Sequence, residues 1–423
     1  MSVGVAGGLG ATAGSWAALA NFVPAPVAAG LGAGAGGLVM LADAWRQRRQ
    51  GVAQADASWS RWVLAAPAVA VGSRPGDRSG GVLQALNPDE RVVPFSPLRR
   101  TELLSLAEWC RGTGDGRVWL VTGDAGSGKT RLLVELVEHL EGGRVACGWV
   151  GHGHAVAAME TAAARRDRVL LIVDDVDASP RLQEDVAGML RVLAEIPEGR
   201  VKVVLCGREF SSWWAGLRAS MDPAEQAALV PAGRTTLSGL LAGPEDQAQQ
   251  FQGAVRHFAR HFGRSVPVVA LAGADTSFSV AELHAAAAIA AYGGLAGSVD
   301  PATALRQLFT AEEAWWRVDA AAQHPAVPLP LTVLQRAMTA AALLGADSLE
   351  QAVRRLAHLP GLTGSSVEQR TELALWLRQL YKQRGGQWLD PHLPAHLVDR
   401  YAALRVAADP GLAAALAGAA TTA

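Results

Sequence analysis

Eight consecutive residues constrain this chain more than anything else in it. Gly123-Asp124-Ala125-Gly126-Ser127-Gly128-Lys129-Thr130 reads G-x-x-x-x-G-K-T, directly after the apolar run from Val118 to Thr122. Arg131 to Leu140 then repeats its apolar residues at helical spacing. A strand, a glycine-rich loop and a helix in that order form a phosphate-binding loop. The glycines let several backbone N–H groups point at one anion, and the helix N-terminus adds its positive end. In such a loop all eight residues, Gly123, Asp124, Ala125, Gly126, Ser127, Gly128, Lys129 and Thr130, surround the phosphates. The Lys129 ammonium reaches the β- and γ-phosphates and the Thr130 hydroxyl ligates Mg²⁺. Only three of the 38 basic residues are lysines, so one placed at this position by accident is improbable. The stretch predicts binding of a nucleoside triphosphate.

The remaining composition excludes more than it assigns. At 423 residues the chain has room for two or three domains. A net charge of −1 gives no general attraction to nucleic acid or to anionic lipid. Cys110, Cys147 and Cys206 are scattered without metal-binding spacing, which fits a reduced, cytosolic setting. The first 42 residues contain no Asp, Glu, Lys or Arg, and lack the positive start of a secretory signal. Two Gly/Ala-rich apolar runs, Val3 to Ala20 and Val27 to Ala42, flank a break containing Pro24 and Pro26, and Arg46, Arg48 and Arg49 follow. Residues 1–45 are therefore expected to form an apolar helical hairpin of two membrane spans, with both ends in the cytoplasm. A soluble Ala/Gly hairpin would show the same letters.

Residues 46–81 read as a linker, most plainly from Gly72 to Gly81. From 82 to 240 apolar runs of strand length, at 118–122, 145–150, 169–173 and 202–206, alternate with helical patterns. That alternation predicts an α/β domain with a parallel sheet flanked by helices. After Leu240 the strands largely stop and Ala-rich amphipathic segments follow. The last residues, 406–423, are Ala/Gly-rich and read as a disordered tail.

Two further strands carry chemistry. Val169 to Val173 ends in Asp174-Asp175, and a triphosphate site needs an acid at a strand tip for its Mg²⁺ shell, the place Asp174 takes. Asp175 is the candidate general base for the attacking water. Asp177 is a candidate for the metal shell or for capping the next helix. Val201 to Gly207 is followed by Arg208, which would face the γ-phosphate if this strand lies between the other two; the plain alternative is a surface ion pair with Glu209. His152 and His154 lie in a glycine-rich turn without nearby ligands, which argues against a metal site. Trp213, Trp214, Trp315 and Trp316 read as packing anchors.

In this order these segments resemble the STAND branch of AAA+-like P-loop ATPases, in particular NACHT-like ATP-binding proteins of actinobacteria. The resemblance runs from about Val92 to Tyr401. It rests on Val92-Val93-Pro94-Phe95, Glu102-Leu103-Leu104 and Trp109-Cys110, then the phosphate loop, the Asp174-Asp175 strand, Gly207-Arg208 and Trp213-Trp214. Leu283-His284 with Ala287 and Ala288 looks like the lid, and Leu331 to Leu359 like a winged-helix module. The resemblance implies strand order 5-1-4-3-2, ATP bound where lid meets sheet, an all-α lid over 241–298 and a winged-helix-like domain over 299–405. It implies slow hydrolysis, a homo-oligomer formed on activation and a module repositioned when ADP gives way to ATP. Three departures stand out. Ser96-Pro97-Leu98-Arg99-Arg100 replaces the usual Gly-Arg entry, Asp-Asp-Val replaces Asp-Tyr-Ala after the acidic strand, and no long repeat array follows.

The expected function is thus a Mg²⁺-ATP-dependent switch with ATP and ADP as ligands, tethered to the cytoplasmic face of a bacterial membrane. Its rivals are an oligomeric AAA+-type remodelling ATPase and an ATP-controlled winged-helix DNA-binding regulator. Nucleic acid is not expected as a partner, because Leu331 to Leu359 offers only Arg336, Arg354 and Arg355.

Overall fold

Five parallel strands organise the first half of the molecule, a computed structural model. It describes residues 63–64 and 81–421 except 114–115, 144, 152, 179, 197–198, 239–243, 273–277, 294–296, 324–328, 384–386 and 392. The proposed hairpin of residues 1–45, most of the linker, His152 and the last two residues lie outside the described residues. Among the described residues no helix is long and apolar enough to cross a membrane.

The strands are β1 (Val63–Leu64), β2 (Val118–Gly123), β3 (Val145–Val150), β4 (Arg168–Val173), β5 (Val201–Gly207) and β6 (Pro231–Leu237), in the order β1-β3-β4-β5-β2-β6. Only β1, two residues from the linker, runs antiparallel. Without it, counting from the phosphate-loop strand, the order is 5-1-4-3-2, as the resemblance implied. Every residue of β5 is buried, which suits a central parallel strand covered on both faces. Edge strand β6 alternates exposed and buried positions and contains Pro231 and Gly233, so it lacks the apolar run that marks the others.

Helices α2 (Arg100–Arg111) and α3 (Lys129–Leu140) cover one face of the sheet. Leu132, Leu133, Leu136, Val137 and Leu140 of α3 are all buried, and each such burial contributes about 1.5–3 kcal/mol. Helices α4 (Ala155–Ala164), α5 (Pro180–Glu195) and α6 (Ser211–Ala219) cover the other face, and α7 (Pro223–Ala228) follows them in sequence. Cys110, Cys147 and Cys206 are free. Burial pushes the Cys110 and Cys147 thiols up to about 12 and raises Cys206 as well, so none is an ionised nucleophile at neutral pH.

The second half is helical and shares one core: α8 (Pro244–His261), α9 (Val280–Gly293), α10 (Pro301–Gln323), α11 (Leu331–Leu344), α12 (Leu349–Leu356), α13 (Val367–Leu380), α14 (Ala395–Ala408) and α15 (Pro410–Ala420). Two expectations are corrected here. The lid is not all-α, because β7 (Val269–Leu271) pairs in parallel with β8 (Gly297–Val299). Three-residue strands depend on this distant pairing and leave no periodic signal. Nor are the described residues 406–421 an unstructured tail: Leu412, Leu416 and Ala419 of α15 are buried, the two leucines in the helical core. Between and after α11, α12 and α13, single antiparallel bridges join Ala346 to Leu389 and Gln383 to Pro391.

Helix α1 (Val82–Ala85) belongs to this second core, although it precedes the sheet in sequence. Glu312 of α10, fully buried, accepts a hydrogen bond from the Leu83 N–H at 3.0 Å and another from the Tyr381 hydroxyl. Trp316 Nε1 donates to that hydroxyl at 2.8 Å. Burial raises the Glu312 carboxyl from its ordinary 4.5 to about 7, with the donors partly offsetting it. Between those values the folded state holds a proton that the unfolded chain has released, so stability falls as pH rises. The difference amounts to at most about 3 kcal/mol. Glu312→Gln removes this titration. The wild-type thermal midpoint, measured relative to that variant, should therefore drop by several degrees from about pH 5 to pH 8. Parallel pH profiles would show that Glu312 is not the titrating group.

Candidate nucleotide-binding site

The phosphate loop leaves β2 at Gly123 and enters α3 at Lys129. Gly126 and Gly128 have φ of 77° and 92°, a left-handed backbone that glycine adopts without a Cβ penalty. Nothing stands within 4 Å of the place where a Gly128 Cβ would project. Lys129 folds back over the loop, its Nζ donating to the carbonyl oxygens of Gly123 at 2.7 Å and Asp124 at 2.9 Å. Ser127 Oγ is buried inside the loop without a hydrogen-bond partner among the described residues. A ring of glycines, an ammonium and an unsatisfied hydroxyl fit a polyphosphate.

Thr130 and Asp174 meet as their spacing suggested: the Thr130 hydroxyl donates to Asp174 Oδ2 at 2.8 Å. Among the described residues no cluster of three or more His, Cys, Asp or Glu could hold a metal. Mg²⁺ does not need one, since it keeps several waters and uses one or two protein oxygens plus phosphate. The hard oxygens of Thr130 and Asp174 fit that ion and would hold it. Asp174 Oδ1 accepts from the Asp175 N–H at 3.0 Å. Asp175 itself has φ of 50°, a left-handed conformation that Asp tolerates, where the chain turns from β4 into a short 3-10 turn.

Asp177 Oδ2 accepts the Arg208 N–H at 3.0 Å. That bond ties the tips of β4 and β5 together. Arg208 stands at the end of β5, between the strands of the loop and of Asp174. Its guanidinium pairs with Asp399 of α14 at 2.8 Å, not with Glu209, and both side chains are 55% exposed.

The lid-like segment expected around Leu283-His284 lies in α9, which closes over the loop; the touching residue, Ala281, carried no signal of its own. The Ala281 N–H, at the start of α9, donates to the Gly126 carbonyl at 3.2 Å. A Cβ on Gly126 would stand 2.7 Å from the Ala281 Cβ, so only glycine permits this approach. Ser279 and Glu282 cap the same helix end, and Arg400 of α14 lies 3.7 Å from Glu282. His284 of α9 and His396 of α14 are both pushed down to about 4. Burial is the main cause for each; the charge of Arg131 adds to it for His284, and that of Lys129 for His396. Both imidazoles are neutral at pH 7, and His396 Nε2 has no partner among the described residues. His284 was visible as part of a lid-like segment; His396 and Asp399 carry no local signal, because only the fold brings α14 to the loop.

Trp316 is a buried core residue, as expected of a packing anchor. Trp213 and Trp214 pack with Phe210 beneath the β5 tip, with ring centroids about 6 Å apart.

No protein-family model matches the chain, and no curated protein matches it. Among solved structures, the Orc1 protein of Aeropyrum pernix in complex with DNA is similar over 78% of this chain and 97% of its own, at 14% identity and a TM-score of 0.37. The ORC2 protein of the same organism, in ADPNP–ADP complexes, is similar over 77% and 98%, at 17% identity and a TM-score of 0.34. PCH-2 of C. elegans is similar over 55% and 72%, at 11% identity and a TM-score of 0.36. At such TM-scores these likenesses transfer no function, and none singles out the STAND branch. By its own loop and strand order, the chain has a P-loop NTPase fold.

Proposed function

We propose that this protein binds Mg²⁺-ATP between the phosphate loop and α9, and that nucleotide state holds or frees its C-terminal helices as a slow, STAND-type switch. The observation that carries this reading is the Arg208–Asp399 pair. Arg208 stands where the strand order puts a γ-phosphate sensor, yet its guanidinium is occupied by a carboxylate of α14. An ion pair this exposed stabilises by only about 0–1 kcal/mol. A desolvated, doubly charged phosphate offers the same guanidinium two charge-assisted bonds and outcompetes it. Binding of ATP, but not of ADP, would then loosen α14.

Hydrogen exchange across Ala395–Ala408, compared between ADP and a non-hydrolysable ATP analogue, tests this directly. Exchange should rise with the ATP analogue in the wild type and be equal in both nucleotides in Arg208→Ala. Equal exchange in the wild type would refute the switch. Asp399→Asn should raise ATP turnover a few fold by releasing Arg208, measured at saturating ATP.

An oligomeric AAA+-type ATPase that remodels its targets would use the same loop, Thr130, Asp174 and Asp175 and differ in rate. Turnover of about 1 s⁻¹ or faster, rising with protein concentration, would favour it over the switch. DNA is not expected as a ligand. Leu331 to Leu359 offers only Arg336, Arg354 and Arg355, too few for a basic recognition face. Residues 1–45 would supply the membrane tether; recovery of the full chain entirely in the soluble fraction would remove it.

A further inference from the structure

A second concave site lies on the face of the sheet opposite α3. Its volume is about 570 Å³, within the range of small-molecule sites. Leu120 of β2, Phe210 and Trp214 form an apolar floor, and Arg218 and Arg234 stand among the residues around it. Leu120 and Arg234 are cross-strand neighbours in register, which puts both on this face. No carboxylate lines the cavity. Arg218 Nε is shielded from solvent and has no acceptor. Other arginines with a shielded Nε, such as Arg117, Arg131 and Arg355, place their terminal nitrogens on carbonyls or carboxylates, whereas the Arg218 side chain makes no hydrogen bond or ion pair among the described residues.

A guanidinium against an aromatic wall, with its Nε cut off from water, lacks the acceptor that such a group ordinarily has. A second cation nearby raises the local potential further, and the planar fork matches carboxylate, sulfonate or phosphate oxygens. We propose that this cavity binds a small amphiphilic organic anion, with its apolar body on Phe210 and Trp214 and its acidic group between Arg218 and Arg234. Phe210 also reaches the β5 tip: its Cζ lies 3.2 Å from where a Gly207 Cβ would stand, one residue before Arg208. An effect of the ligand on Arg208 rests on the switch reading; binding itself does not.

The test uses the full chain and 1-anilinonaphthalene-8-sulfonate as probe, with uncharged N-phenyl-1-naphthylamine as its control. The wild type should bind the sulfonate at one saturable site. Arg218→Gln/Arg234→Gln should weaken it by at least about tenfold and leave the neutral analogue unaffected. Ala219→Trp, which fills the cavity from an exposed helix position and keeps both arginines, should abolish binding of both probes. Lys129→Ala should bind the sulfonate like the wild type, which separates this site from the phosphate loop. Equal affinity in the double variant, equal binding of the two probes by the wild type, or loss of the probe in Lys129→Ala would each overturn the proposal.

Discussion

Replacing Lys129 with Ala is expected to weaken ATP binding by at least about a hundredfold while the protein stays folded. The ammonium lies over the loop, held by the Gly123 and Asp124 carbonyls. Those contacts are local, within six residues, and the loop's shape is set independently by Gly123, Gly126 and Gly128 and by burial of α3. Loss of the ammonium leaves two carbonyl oxygens to water at the mouth of the site, a small cost. The triphosphate, by contrast, loses its one buried cation from this loop. Two charge-assisted bonds of about 1.5–3 kcal/mol each correspond to a loss of two to four powers of ten in affinity. Calorimetric titration gives the affinity, and circular dichroism with a thermal melt shows whether the fold persists. An unchanged dissociation constant in a folded variant would mean that the loop does not hold nucleotide, and the proposed function would fall with it.

The sheet and its chemistry were legible because they depend on short-range rules. Val169 to Val173 is an unbroken apolar run because a central parallel strand is buried on both faces, and its carboxylates mark the tip where burial ends. Lys129 and Thr130 sit on the first turn of α3 by covalent spacing alone, so the sequence places them as firmly as the structure does. Asp174 needed one inference, strand adjacency, and the Thr130 bond supports it. Edge strand β6 was illegible for the opposite reason: half its residues face solvent, and Pro231 and Gly233 read as turn residues. Asp399, His396 and Ala281 were out of reach because no local pattern says which helix folds back over a loop more than 150 residues away. Glu312 belongs to the same class. A lone Glu in an amphipathic helix looks solvated until Val82–Ala85, from the other end of the chain, is found packed against it.

Asp175→Asn should lower single-turnover hydrolysis by about a hundredfold or more, with ATP affinity within a few fold of the wild type. In the proposed reading the two neighbouring carboxylates do different work. Asp174 accepts from the Thr130 hydroxyl and would belong to the ion shell in the proposed reading. Asp175 follows at a left-handed turn at the β4 tip, and in the proposed reading its carboxylate is the base for the attacking water. Asn keeps the size and tolerates the same φ, so the turn survives and only the proton acceptor is lost. Asp175→Gly suits that backbone even better and should lose the same rate, which separates the carboxylate from the turn. Asp174→Asn should instead weaken the dependence of ATP binding on Mg²⁺, because it removes a charged oxygen from the shell. If Asp175→Asn hydrolyses ATP at the wild-type rate, Asp175 is not the base, and water activation must be assigned to another group near the β4 tip. If the affinity falls together with the rate, Asp175 acts on bound nucleotide in the ground state, and the division of roles between the two aspartates is wrong.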